Sequence, residues 1–243
     1  MIHYHGTPLT PIDALYSLAG RNFFVSHARP DDIRRVAAIA SSFALDNGAF
    51  SQFKRGHKTD WKAYYAWCEE WLFPGTWAVI PDVIDAGTQE QDALIREWPH
   101  GHRGAPVWHM DEPISRLVRL TEQWPRVCIG SSGECATIGT PHWWAQMSRA
   151  MRVVCNDDGQ PLVKLHGLRM LNPEVFSRFP FASADSTNIA RNIGIDQTWR
   201  GNYMPPTKEM RAQVMRSRIE SQNAPPRWSF SVPDTLIEQG SLL

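Results

Sequence analysis

Three carboxylates stand where a short apolar run stops. Asp185 closes Phe181-Ala-Ser-Ala and is followed by Ser186, Thr187 and Asn188; Asp46 closes Phe43-Ala-Leu and is followed by Asn47 and Gly48; Asp82 follows Ile80-Pro81. A carboxylate at the C-terminal end of a strand sits where α/β folds keep their active sites, and it can act there as nucleophile or as proton donor and acceptor. Asp185 has a second reading as a cap or turn residue, with Ser186 or Thr187 capping the next helix. The same strand-end grammar brings in His109 and Asp111, and His166-Gly167 after Lys164-Leu165. A lone histidine in that place either lines a pocket or is a satisfied structural group. The turn Gly130-Ser131-Ser132-Gly133 exposes backbone N–H groups that can take an anion or the carbonyl edge of a base, or it is an ordinary tight turn.

Positioning these groups takes a barrel. The 243 residues suit one α/β barrel of about 250 residues. Strands are expected over 22–26, 43–46, 77–81, 105–110, 126–130, 161–165 and 181–185. Helices are expected over 30–40, 60–72, 88–98, 113–124, 141–155, 172–179 and 205–221. The sequence thus offers seven strands and no legible eighth, so a parallel (β/α)8 barrel irregular at its last strand is the expected fold. Residues 1–222 form that single domain, and 223–243 read as a loosely ordered tail. If each named residue closes its strand, Asp46, Asp82, His109, Gly130, His166 and Asp185 converge on one rim. The aromatics Trp61, Tyr64, Tyr65, Trp67 and Trp71 have helical spacing and read as core.

Composition excludes some functions and leaves others open. With 25 basic and 25 acidic side chains there is no global field for nucleic acid, so any such surface must be local. Two stretches qualify. One is the loop with Lys54, Arg55, His57 and Lys58, as a phosphate contact or a solvated loop. The other is 200–218, where Arg200, Lys208, Arg211, Arg216 and Arg218 outweigh Glu209, as a nucleic-acid surface or a solvated helix face. No apolar run of about 18 residues occurs, so a soluble, cytoplasmic protein without membrane contact is expected. Cys68, Cys128, Cys135 and Cys155 lack the close spacing of a zinc or redox site and read as buried thiols; no metal and no cofactor are expected.

Taken in order, Asp46-Asn-Gly-Ala-Phe50, Ile80-Pro-Asp-Val83, Ile129-Gly-Ser-Ser-Gly133, Lys164-Leu-His-Gly-Leu168 and the Asp185 segment resemble the tRNA-guanine transglycosylase superfamily, particularly the phage and prophage branch that puts 7-deazaguanines into DNA. The resemblance covers roughly 43–188. It implies that Asp185 is the nucleophile, that Asp46 moves a proton or holds the base, and that Phe50 stacks on the purine. Asp82 would accept from the purine N1–H and exocyclic amine. Gly130, Ser131, Ser132, Gly133, His166 and Gly167 would complete the base pocket. The tRNA-modifying members carry a Cys-x-Cys-x-x-Cys and His zinc site after the nucleophile, whereas no cysteine follows Asp185. A missing zinc subdomain points to DNA rather than tRNA. The implied partners are DNA, a free 7-deazaguanine base such as preQ0, and an accessory protein or a second copy of the chain, in a bacterial host of the phage. Two other readings stand beside this one: a non-catalytic scaffold or nucleic-acid-binding relative, and an ADP-ribosyltransferase, because His5-Gly6-Thr7 resembles the His-Gly-Thr that holds the nicotinamide ribose in those enzymes.

Overall fold

The structure, a computed structural model, describes residues 1–229 apart from 85 and 202. Asp85, next to the expected strand over 77–81, and residues 230–243 of the expected tail lie outside the described residues. The strands are β1 (Ile2–Gly6), β2 (Asn22–Ser26), β3 (Ser42–Asp46), β4 (Trp77–Val79), β5 (Gly104–Ala105), β6 (Val107–His109), β7 (Arg126–Gly130), β8 (Lys164–Gly167) and β9 (Ser183–Ser186). The helices are α1 (Ile12–Tyr16), α2 (Ile33–Ile39), α3 (Ala49–Lys54), α4 (Trp61–Trp71), α5 (Thr88–Glu97), α6 (Ile114–Gln123), α7 (Pro141–Val154), α8 (Pro173–Phe176), α9 (Asn188–Asn192) and α10 (Lys208–Glu220).

The nine strands pair in parallel, in the order β5-β4-β3-β2-β1-β9-β8-β7-β6. The two ends of that order are one stretch of chain, because only Pro106 separates β5 from β6. Pro106 has no N–H and interrupts the ladder. Before it, Gly104 and Ala105 pair with Ala78 and Val79 of β4; after it, Val107 to His109 pair with Cys128 to Gly130 of β7. The Pro106 carbonyl still accepts from Cys128 N at 2.9 Å. Counting β5 and β6 as one stave, the nine strands make a ring of eight, and the irregularity falls at the fifth stave rather than the last.

The strand that sequence reading lacks is β1. It pairs with β2 on one side and β9 on the other. Its segment Ile-His-Tyr-His-Gly does not look like a barrel strand because its outward positions are histidines. Both are satisfied there: His3 Nε2 is 3.0 Å from Gln222 O and His5 Nε2 3.0 Å from Glu220 Oε1, a carboxylate at the end of α10. His5 is 1% exposed and faces the outer layer, away from the mouth of the barrel.

Inside the ring, Tyr4, Phe24, Ala44, Trp77, Val79, Ala105, Val107 and Cys128 form a plug. Trp77 Nε1 donates to Tyr4 Oη at 3.1 Å, so the one indole N–H in the plug is not stranded. A larger apolar layer packs between the sheet and the helices, including fully buried Trp108, Trp143, Tyr64 and Phe176. Side chains alternate along a strand, so residues two beyond the plug positions face the open C-terminal mouth. On five staves these are Gly6, Ser26, Asp46, His109 and Gly130.

Helix α10 packs on α1 and α9 and runs from the mouth to the opposite end, where Asn223 Oδ1 accepts from the Met1 ammonium. The described part of the C-terminal stretch packs against the barrel: Trp228 is 4% exposed and its N–H donates to Gly159 O at 2.8 Å.

Candidate active site

Asp46 ends β3 beside Ser26 of β2. Burial pushes its carboxyl up to about 6; the neighbouring Ser26 hydroxyl and the Gly48 N–H work against that rise, while the charges of Asp185 and Asp82 add to it. The chain turns sharply after it at Gly48, φ 78°, where a Cβ would lie 2.8 Å from Ala28 N. Only glycine fits that turn. Asn47, unremarked in the sequence, ties the turn to the next strand end: its Nδ2 donates to Ile80 O at 2.9 Å and to Asp82 Oδ1 at 2.6 Å, and its Oδ1 accepts from Ala49 N.

The second oxygen of Asp82 lies 3.0 Å from His109 Nε2, off the line of a hydrogen bond. Burial pulls His109 down, but Asp82, Glu112 and Asp111 together outweigh it, and the imidazole is net raised. Glu112 Oε2 accepts from His109 N at 2.9 Å and from Arg116 Nη1 at 2.7 Å. Both Asp82 oxygens therefore have protein neighbours, and a purine edge would have to share them.

Asp185, 5% exposed, is held from two sides. Its Oδ1 accepts from Arg169 N at 2.8 Å and lies 3.3 Å from His166 Nε2, again off the hydrogen-bond line. Among the described residues nothing donates to Oδ2. His166 is fully buried, with Nδ1 2.9 Å from Ser183 Oγ and its ring 4.9 Å from that of Trp77. Burial lowers its pKa against the upward pull of Asp185. It is thus floor beneath Asp185, part of the plug, and not an exposed pocket wall. Gly167 is a packing glycine: a Cβ there would meet Met170 Cβ at 2.9 Å.

The turn after β7 is committed to the protein through its side chains. Ser131 Oγ accepts from Trp143 Nε1 at 2.9 Å, and Ser132 Oγ donates to Asp111 Oδ1. Gly130 faces the mouth, and Gly133 opens a short turn of 3-10 helix. The Ser131 carbonyl accepts from Arg169 Nη2 at 3.2 Å.

Arg169 is the main residue that sequence reading misses. It is the one non-glycine residue with positive φ, 60°, among those described, and its guanidinium lies 3.9 Å from the centroid of the Phe50 ring. Lys54 Nζ also lies over that ring, at 4.7 Å. Phe50 is therefore at the mouth, and two cations rest on the ring that the resemblance assigns to stacking. Arg169 stands two residues beyond the end of β8 at Gly167, whereas the expected strand stops at 165 and leaves that position without a signal.

The five basic residues of 200–218 do not form one surface. Arg211 is 9% exposed and donates to Pro205 O, Ile193 O and Asp196 Oδ1, bracing the turn before α10. Arg216 pairs with Glu220 at 3.2 Å, and Arg218 stacks on Trp199. Ten residues of helix separate Lys208 from Arg218, about 15 Å, so the later cations fall away from the mouth. Arg200 has partners of its own. A count of basic residues reports charge, not whether each charge is already engaged by a neighbour.

A cavity of about 800 Å³ opens at the far end of the barrel, beside Met1, Pro125, Lys164 and Pro226, with no carboxylate or histidine in its lining. It is larger than the cleft near the carboxylates but holds no catalytic group. At the mouth, that cleft of about 350 Å³ lies beside Asp185, between the turn after β8 and α9. The four cysteines are buried free thiols, and no three His, Cys, Asp or Glu side chains among the described residues are grouped as metal ligands. Among the described residues no helix is long and apolar enough to cross a membrane. Comparison with family models, with characterised proteins and with solved structures returns no match for the chain.

The arrangement offers two carboxylates with different tasks in one mouth: Asp46, which burial makes hold its proton up to about pH 6, and Asp185, with one oxygen anchored and the other without a donor among the described residues. That division suits substitution at an anomeric carbon, where one carboxyl attacks and the other manages a proton.

Proposed function

We propose that the mouth replaces guanine in DNA by a 7-deazaguanine through double displacement, the activity implied by the resemblance to guanine transglycosylases. The observation that carries this reading is the pair of strand-end carboxylates at one mouth, Asp185 held through Oδ1 by Arg169 N and Asp46 close enough to feel its charge, with burial raising Asp46 to about 6. Asp185 Oδ2 attacks C1′ of the deoxyribose, the C1′–N9 bond breaks with its electron pair going to the purine, and Asp46 supplies the proton that the leaving guanine needs. The incoming base loses its N9 proton to Asp46, N9 attacks C1′, and the ester to Asp185 is released. Phe50 is the stacking platform once the Arg169 guanidinium lifts from it, and Asp82 meets the purine amino edge. Because C1′ is reached only from an extruded nucleotide, single-stranded or mismatched DNA should react faster than perfect duplex.

One observation favours a second reading, a binding scaffold without catalysis: the guanidinium of Arg169 occupies the face of Phe50 that a base would use. Incubation with DNA or tRNA carrying labelled guanine, with and without a 7-deazaguanine, separates the two. Label released from DNA only when the replacement base is present supports exchange. DNA binding with no release and no covalent adduct supports the scaffold.

A further inference from the structure

The cleft beside Asp185 is lined by Arg169, Leu171, Asn172, Ser186, Thr187, Asn188, Arg191 and Asn192, with two guanidinium-bearing residues and no carboxylate. This sets it apart from the ion pairs elsewhere, where Arg21, Arg116, Arg119 and Arg216 each meet an acid. Arg191 is exposed on α9, and its side chain has no hydrogen-bond or ion-pair partner among the described residues. Its charge bears on Arg169 as a repulsion, which joins burial in lowering the Arg169 pKa against the nearby aspartates. An unpaired guanidinium at a polar cleft, with a second one near by, gains from an anion bound there.

The location adds chemistry. Ser186 and Thr187 directly follow Asp185 in the chain, and Arg169 holds Asp185 by its backbone N–H. Leu171, also in the lining, donates its backbone N–H to Asp185 O at 2.9 Å, so the cleft lies beside the strand end that carries the carboxylate. Barrels commonly take phosphate at the loops that follow their last two strands, and β8 and β9 are the last two staves of this ring. The volume, about 350 Å³, is that of a small-ligand site.

We propose that this cleft is a phosphate subsite, in which Arg191, joined by the Arg169 guanidinium once it leaves Phe50 and the Ser131 carbonyl, grips the phosphate next to the sugar that Asp185 attacks. The source of the phosphate rests on the base-exchange reading; the anion specificity does not. The side chains carry the site, with Thr187 and Asn188 as neutral donors around the two charges.

The test measures binding of dGMP and of deoxyguanosine to the full chain by calorimetry, with inorganic phosphate as competitor. dGMP should bind more tightly than deoxyguanosine and be displaced by phosphate. Arg191→Gln should weaken dGMP about tenfold or more, the size expected for a charge-assisted hydrogen bond, and leave deoxyguanosine unchanged, while Arg191→Lys should keep part of the affinity. Equal or undetectable binding of the two, or an Arg191→Gln protein with full preference for dGMP, overturns the subsite. A second arm uses single-stranded DNA with one neutral methylphosphonate beside the target guanosine. If its exchange rate falls and Arg191→Gln adds no further loss, the phosphate belongs to the polynucleotide. If only dGMP binding responds, the ligand is a mononucleotide. Arg191-dependent dGMP binding in a protein that never exchanges bases upholds the subsite and removes the base-exchange reading; exchange that ignores both Arg191 and the methylphosphonate does the reverse.

Discussion

The backbone N–H of Arg169 donates to Asp185 Oδ1 at 2.8 Å from a residue whose φ is 60°. One residue thus orients the proposed nucleophile through its main chain while its side chain reaches Phe50 and the Ser131 carbonyl. A left-handed non-glycine residue costs about 1–2 kcal/mol, and glycine at that position would remove the strain. An arginine there argues that the guanidinium is used.

Replacing Arg169 by Ala keeps the strain and removes the guanidinium; replacing it by Gly removes both. Arg169→Gly is therefore expected to be the more stable of the two by about 0.5–1 kcal/mol, read as a shift in denaturation midpoint. Both should bind nucleotide more weakly than the parent chain. An Ala variant as stable as the Gly variant would contradict the strain argument.

Asp46 links stability to pH with a definite sign. Its folded pKa, about 6, lies above the ordinary value of 3.8, so the native state holds the proton more tightly than the unfolded chain. The associated stability is fully present below about 4 and is lost as pH rises through about 6. Asp46→Asn cannot ionise and should be more stable than the parent at pH 8 by about 3 kcal/mol, with little difference at pH 4. Urea unfolding at the two pH values checks this; equal differences at both would remove Asp46 as the titrating group. Base exchange by the same variant should fall about a hundred- to ten-thousand-fold.

Asp185→Asn should differ in kind. Asparagine keeps the shape and the carbonyl that accepts from Arg169 N but is no nucleophile, so a covalent adduct on denaturing gels and base exchange should both vanish while DNA binding survives. An Asp185→Asn protein that exchanges at the normal rate rules out the ester intermediate.

The cations divide by position. Arg211→Ala strands the Pro205 and Ile193 carbonyls and should cost about 1–3 kcal/mol of stability without altering the salt dependence of DNA binding. Lys54→Glu and Arg191→Glu, at the mouth, should leave stability nearly unchanged and flatten that dependence, by about 0.7–0.9 in log–log slope for each phosphate no longer neutralised. If Arg211→Ala flattens the slope and the two mouth variants do not, nucleic acid lies along α10 instead.

What can be read from the sequence follows from how local each signal is. Asp46 and Asp185 are visible because an apolar run ending in a carboxylate needs no partner to be recognised, and strand parity then carries Asp46 to the mouth. β1 is hidden because its outward His3 and His5 are buried only by virtue of Gln222 and Glu220, at the other end of the chain. His166 reads as pocket wall because nothing local indicates that Trp77, Phe24 and Tyr4 close over it. Arg211 and Arg216 read as free because their carboxylates and carbonyls come from turns and a later helical residue. Arg169 owes its place to one backbone angle, which residue type alone does not announce.

Among the described residues the first strand, β1, pairs with the last, β9, Tyr4 against Asp185 and His5 against Ser186. During synthesis β1 is made before the other described strands and waits for almost the whole barrel before its second edge is covered. A pairing of such long sequence separation is costly to close, and until β9 arrives an unpaired strand edge is open to other chains. The carboxylate assigned to attack is made on the strand that ends this wait, so the active mouth and the sealed barrel are completed in the same event.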